Sequence, residues 1–312
     1  MIPKKVLISG CSGFLADYLV REFPEDEYSL YGITEVKDFI NNKIKVFNTD
    51  IRNKSEIDNI IKDIDPDIVF HLAAISNVGF SWKDPGLTYD VNFIGSSNLF
   101  ESLRKYSPNA KVLLMSSAEV YKVEDEKIIT ENSPVEITNP YALSKYSMEL
   151  LGDLYQRSYG MSVFTVRSFN FTGPGQSKDF VVSDFSFQIA SIEKGIFDPV
   201  IRVGNLSAKR DFSDVRDIAR YLKVIQGKAE PGEKINICSG HSYSIKELLD
   251  ILLGMSKVEI KIEVDRKKFR VVDSPVLSCN NSYIKNRFNL NPVYSIEQTL
   301  KDSLDFWRER VG

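Results

Sequence analysis

Tyr141 and Lys145 open a helical pattern that begins after Asn139-Pro140, and their spacing puts both side chains on one helical face. A phenol with a reference pKa of about 10 is a poor base at neutral pH, but a neighbouring ammonium and a nicotinamide cation both favour its phenolate. The pair therefore suits proton transfer at an alcohol or carbonyl oxygen. Upstream, an apolar run ending at Met115 leads into Ser116-Ser117-Ala118-Glu119. Doubly wound sheets place ligands at the C-terminal ends of their strands, where a serine hydroxyl such as Ser117 can hold the reacting oxygen. Taken alone, a tyrosine and lysine at this spacing are equally a surface tyrosine and an ordinary helix lysine.

A second feature gives the pair a context. Gly10-Cys11-Ser12-Gly13-Phe14-Leu15-Ala16 follows the first apolar run and opens the first helical pattern. Glycine lets a backbone approach a pyrophosphate, and the helix N-terminus offers N–H groups and a positive dipole end to that anion. The competing reading is a glycine-rich turn that binds nothing. The second apolar run ends at Thr34-Glu35, roughly 20 residues past the glycines, where NAD-binding folds use an acid to accept from the adenosine ribose. Glu35 is either that acid or a solvated loop carboxylate. Asp50-Ile51, after the third run, is either an adenine contact or a cap for the helix near Ser55.

These residues need a scaffold, and the hydrophobic rhythm describes one. Strand-like runs at 6–9, 28–34, 44–47, 67–71, 111–115 and 162–166 alternate with helical patterns at 14–22, 55–64, 86–106 and 141–159. The apolar runs are continuous rather than alternating, as in strands covered on both faces. The expected fold class is α/β, a Rossmann-type doubly wound parallel sheet with a smaller C-terminal substrate-binding lobe. The dinucleotide-binding domain is expected over 1–168, with later segments returning to it. The lobe is expected mainly over 169–312, where prolines punctuate shorter elements.

Composition narrows the function classes. With 312 residues, 43% of them hydrophobic, the chain can bury a large core, and 40 basic against 43 acidic residues leave no basic stripe for nucleic acid. No stretch approaches the roughly 20 apolar residues of a membrane span, and the N-terminal apolar run is too short for a signal peptide. Cys11, Cys238 and Cys279 are odd in number and widely spaced, which argues against a disulfide framework or a zinc site and for the reducing cytoplasm.

Taken together, Gly10-x-x-Gly13-x-x-Ala16, Asp50-Ile51, His71-Leu72-Ala73-Ala74, Asn92, Ser117, Tyr141-x-x-x-Lys145 and Arg210-Asp211-Phe212 resemble the extended short-chain dehydrogenase/reductase family across essentially the whole chain. Arg167-Ser-Phe-Asn-Phe-Thr-Gly-Pro-Gly-Gln176, Val203-Gly-Asn-Leu206, the run from Arg210 to Asp217, and Phe269-Arg270 look like its GDP-mannose-derived branch. That branch holds 4,6-dehydratases and 4-keto-6-deoxymannose reductases, and Gly173-Pro-Gly-Gln176 looks like the reductases.

The resemblance implies that Tyr141 is acid or base at the sugar O4, that Lys145 binds the nicotinamide ribose, and that Ser117 hydrogen-bonds O4. It places NAD, with NADP possible, against Gly10, Ser12, Gly13, Phe14, Leu15, Glu35, Asp50, Ile51, Leu72, Ala73, Ala74 and Phe169. It places a GDP-linked sugar against Ser76, Asn170, Val181, Asn205, Arg210 and Arg270, and implies a homodimer through the helices at 86–106 and 141–159. Either arginine also reads as a structural ion-pair partner.

Three departures stand out: Phe171 where the branch has histidine, Glu35 where NADP-using members have arginine, and Glu119, the carboxylate with which dehydratases remove the C5 proton. The expected reaction is therefore hydride transfer at C4 in the sense of 4-keto reduction. A 4-dehydrogenase, a 4,6-dehydratase and a catalytically silent NAD-binding module are the alternatives.

Overall fold

The computed structural model describes residues 2–124, 127–269 and 276–311, and the chain divides into two compact units. The first holds 1–122, 134–168 and 219–237; the second holds 123–133, 169–218 and 238–312.

The first unit is built on a seven-stranded parallel sheet. Its strands are β1 (Lys4–Ser9), β2 (Tyr28–Thr34), β3 (Lys45–Asn48), β4 (Ile68–His71), β5 (Lys111–Ser117), β6 (Ser162–Ser168) and β10 (Lys234–Ile237), in the order β10-β6-β5-β4-β1-β2-β3. Val6, Leu7 and Ile8 are successive on β1 and all fully buried, so both sheet faces are covered, as continuous apolar runs require. The order reverses direction between β1 and β4. In doubly wound sheets that reversal opens the crevice where ligands bind, and both the glycine turn after β1 and the Leu72-Ala73-Ala74 turn after β4 lie there.

One face is covered by α2 (Lys54–Ile64), α5 (Gly95–Tyr106) and α6 (Pro140–Tyr159), whose Ile57, Ile61, Leu99, Leu103 and Met148 pack on Val69, Val112 and Leu114. The single helix expected over 86–106 is instead α4 (Pro85–Tyr89), a π turn at Asp90–Ile94, and α5. The wider turn rotates Asn92 inward, where it is fully buried and all of its carboxamide is used. Its Oδ1 accepts from the Ile75 N–H (2.7 Å), and its Nδ2 donates to the Ile75 carbonyl (3.1 Å) and to Ser144 Oγ (2.8 Å). A short helix missed by the periodicity, α3 (Val78–Lys83), precedes α4 and is capped by Asn77.

In the second unit, β9 (Lys209–Asp214) pairs with β7 (Asn170–Thr172), β11 (Ser242–Ser244) and β13 (Val276–Leu277). A separate parallel pair joins β8 (Val200–Val203) to β12 (Lys261–Val264). The helices α7 (Val181–Glu193), α9 (Ile245–Gly254) and α11 (Ile296–Arg310) close the core over Ile201, Val203 and Phe212.

The cysteine expectation fails here. Cys238 and Cys279 are paired as a disulfide, with Cα atoms 6.3 Å apart and a sequence separation of 41, while Cys11 is free and buried. Close spacing in sequence was the wrong criterion, because the bond depends on where folding brings the two Cα atoms. Among the described residues no helix is long and apolar enough to cross a membrane, and no group of three or more His, Cys, Asp or Glu could hold a metal ion.

Candidate active site

The glycine turn is fixed by backbone geometry. Gly10 has φ of +74°, and a Cβ there would lie 2.8 Å from the Ala73 Cα, so a side chain is excluded both by conformation and by the close approach of the turn after β4. Helix α1 (Phe14–Arg21) begins at Gly13 with no side chain capping it, which leaves its N-terminus suited to an anion. Ser12 Oγ is 2.6 Å from Thr34 Oγ1 at the end of β2, and Glu35 is the exposed residue that follows. A turn that only glycine can occupy, an uncapped helix start and an acid at the second strand end together fit a dinucleotide.

His71 ties this turn to the strand beside it. The Ser96 hydroxyl donates to the Asn92 carbonyl, so toward His71 it can only accept, which places the imidazole proton on Nε2 (2.8 Å). Nδ1 then accepts from Ser9 Oγ (2.7 Å), and Ser9 Oγ in turn accepts from the Ala73 N–H (3.2 Å). Burial, with the nearby Lys145 charge, pushes His71 down to about 3, so the ring is neutral as this chain of bonds requires.

Asp50 does not cap α2. Asn53 does, accepting from the Glu56 N–H, while the Asp50 carboxylate is gripped by Arg52 Nε (2.9 Å to Oδ2) and held below its ordinary range by that bond. Ile51 packs in the core beneath Gly95, and its carbonyl accepts from Asn98 Nδ2 at 3.2 Å. Leu72, Ala73 and Ala74 are half-buried and Ser76 is exposed.

At the end of β5, the structure brings Ser117, Glu119, Tyr141 and Lys145 together. Tyr141 sits in the first turn of α6, buried, with its N–H donated to Ser81 Oγ (3.1 Å). Ser81 lies on α3, a helix that the sequence pattern did not single out. Burial raises the Tyr141 phenol to about 12; a hydrogen bond with the Ser117 side chain opposes this, and the Glu119 charge adds to it. The Glu119 carboxylate accepts from Asn139 Nδ2 (3.2 Å), the residue whose side chain caps α6. Lys145 Nζ donates to the Met115 carbonyl (2.8 Å), and burial pushes its ammonium down to about 7. The phenolate expected from a neighbouring ammonium is thus not the state of the protein alone. In the protein alone burial is the largest influence on both groups and favours the neutral form of each.

Phe169, Asn170, Val181, Asn205 and Arg210 belong to the second unit. Phe169 is buried just before β7, Asn170 is on β7 and faces Phe212 of β9 in register, and Val181 opens α7. Asn205 Oδ1 accepts from the Ser207 N–H (3.0 Å) and hydroxyl (2.8 Å) in the turn after β8. Arg210 is buried on β9, with Nη1 donating to the Lys209 carbonyl at 2.8 Å. Phe171 is half-buried on β7, and Arg270 lies outside the described residues.

The sequence pattern of the GDP-mannose 4,6 dehydratase family matches residues 7–303. The chain belongs to that family. It is 32% identical to GDP-6-deoxy-D-mannose reductase of Pseudomonas aeruginosa over 249 residues, covering 79% of this chain and 82% of the other. It is 30% identical to GDP-6-deoxy-D-talose 4-dehydrogenase of Aggregatibacter actinomycetemcomitans over 286 residues, covering 90% of each. A Pseudomonas aeruginosa structure complexed with NADPH superposes with a TM-score of 0.85 at 26% identity, covering 99% of this chain and 100% of the other. The family member described here is an NAD(P)-dependent enzyme of the short-chain dehydrogenase/reductase type that acts on nucleotide-linked sugars.

Proposed function

We propose that the enzyme reduces the 4-keto group of a GDP-linked 6-deoxyhexose. The observation that carries this reading is the cluster at the end of β5: Tyr141, hydrogen-bonded with Ser117 and on the same helix as Lys145, is placed to hand a proton to a ketone oxygen as hydride arrives at the carbon. A bound nicotinamide supplies the hydride to C4. Tyr141 delivers the proton to O4, Ser117 holds the same oxygen, and Lys145 holds the nicotinamide ribose. Gly10 and Gly13 admit the pyrophosphate, Ser12 and Glu35 face the adenosine side, and Arg210 binds the sugar-nucleotide diphosphate, a role that suits a planar guanidinium. Asn170 contacts the sugar.

Glu119 favours a second reading. Its charge acts on Tyr141, and a dehydratase would use it to remove the C5 proton. Glu119→Gln removes the base and keeps the shape. The C4 reductase is expected to retain its rate within about threefold, whereas loss of a C5 base would cost about 10²–10⁴. Loss of product with cofactor reduction intact converts the assignment to dehydratase. Calorimetry with GDP, UDP, dTDP and ADP is expected to rank GDP first, and a clear preference for another base removes the GDP assignment.

The enzyme acts as a homodimer in this reading. Leu143, Leu150 and Leu154 repeat along one outer face of α6 at helical spacing and are each 43% or more exposed, an apolar stripe that a second copy would cover. A reaction that consumes a nucleotide sugar and a nicotinamide cofactor belongs in the cytoplasm.

A further inference from the structure

Helix α6 buries one more polar side chain, one turn beyond Lys145. Glu149 is fully buried, and a carboxylate so placed needs partners. Three donors serve it: the Ser116 hydroxyl on Oε1, and Arg167 of β6 through Nε (2.9 Å to Oε1) and Nη2 (2.6 Å to Oε2). Arg167 packs over the Tyr121 ring at 4.7 Å, and Tyr121 donates its hydroxyl to Asn236 (2.7 Å). An ion pair this deep is a poor way to stabilise a fold, since apolar side chains of the same volume commonly do as well or better. Its placement is informative instead. Glu149 follows Lys145 by four residues and Tyr141 by eight, and the serine it holds precedes Ser117.

We propose that Glu149, held in place by Arg167, is a positioning residue: it stabilises the Lys145 ammonium, and through Ser116 it fixes the end of β5, and so Ser117, against α6. The inference rests on the roles proposed above for Tyr141, Lys145 and Ser117. The surroundings of Lys145 support it. Burial pushes this lysine down to about 7, and Glu149 is the charge that opposes that shift. From β4, His71 is neutral, pushed down to about 3. From β6, the Arg167 charge is spent on Glu149. From the turn after β5, Glu119 bonds Asn139, and on α6 itself the Tyr141 phenol is neutral, pushed up to about 12. Without Glu149 the lysine would lose its proton at lower pH and cease to be a cation over the neutral range.

The test is a carbon-13 NMR titration of the protein labelled at lysine Cε, with the Lys145 signal assigned by its absence in Lys145→Arg. Wild type is expected to titrate near the pKa of about 7. Glu149→Gln is expected to lower that midpoint by about one pH unit or more, the effect of losing a close opposite charge. The double variant Glu149→Gln/Arg167→Met leaves no buried charge unpaired but also removes the like charge of Arg167, so a smaller fall in the same direction is expected, and it carries the test if the single variant does not fold. A midpoint unchanged in the folded variant overturns the proposal. With GDP-4-keto-6-deoxymannose as substrate, the high-pH limb of kcat is expected to move down by the same interval. A shifted titration in an enzyme that does not turn over that ketone would leave Glu149 in its role and retire the reductase reading.

Discussion

Replacing Tyr141 with phenylalanine is expected to lower kcat for C4 reduction by about 10²–10⁴-fold, the usual worth of a positioned general acid, while cofactor affinity and the fold stay near wild type. The ring is buried and keeps its shape in the variant, so packing is preserved, and Ser117 loses one partner at a cost of about 1 kcal/mol. Because burial holds the phenol at about 12, its proton is present throughout the neutral range. A Tyr141→Phe enzyme that keeps more than a tenth of its rate would show that another group delivers the proton.

The second large effect concerns stability. Arg167→Met is expected to cost about 3–5 kcal/mol in urea unfolding, because it leaves Glu149 charged, fully buried and short of two of its donors. By contrast the Arg52–Asp50 pair is partly exposed on both sides, and Arg52→Met is expected to cost less than about 1 kcal/mol. Equal losses in the two variants would contradict the weight placed on burial.

What the sequence could show was local. The glycine turn follows β1 and opens α1 within seven residues, and Tyr141 and Lys145 share one helix, so short-range spacing rules reach both. Strand rhythm revealed the sheet because both of its faces are apolar. What escaped was set by tertiary contact. The Ser81 acceptor for the Tyr141 N–H is 60 residues away, and the Met115 carbonyl that holds Lys145 is 30 away. The Cys238–Cys279 bond joins the residue after β10 to a residue just past β13, and no spacing rule anticipates it. Arg167 was legible only as part of a family-like run, and nothing in the sequence singled out its partner Glu149. Periodicity at 86–106 matched a helix but could not register the extra residue of the π turn, which is made favourable by the bonds of Asn92 to Ile75 and Ser144.

The central claim is hydride delivery to C4 of a GDP-linked 6-deoxyhexose. The most direct measurement incubates the purified enzyme with GDP-4-keto-6-deoxymannose and NADPH or NADH carrying deuterium at the transferable position of the nicotinamide, and locates the label in the product by proton NMR. Deuterium at C4 of a GDP-6-deoxyhexose, formed with one equivalent of oxidised cofactor, is the predicted result. A product labelled at another carbon, or no cofactor oxidation with either nicotinamide, would contradict it.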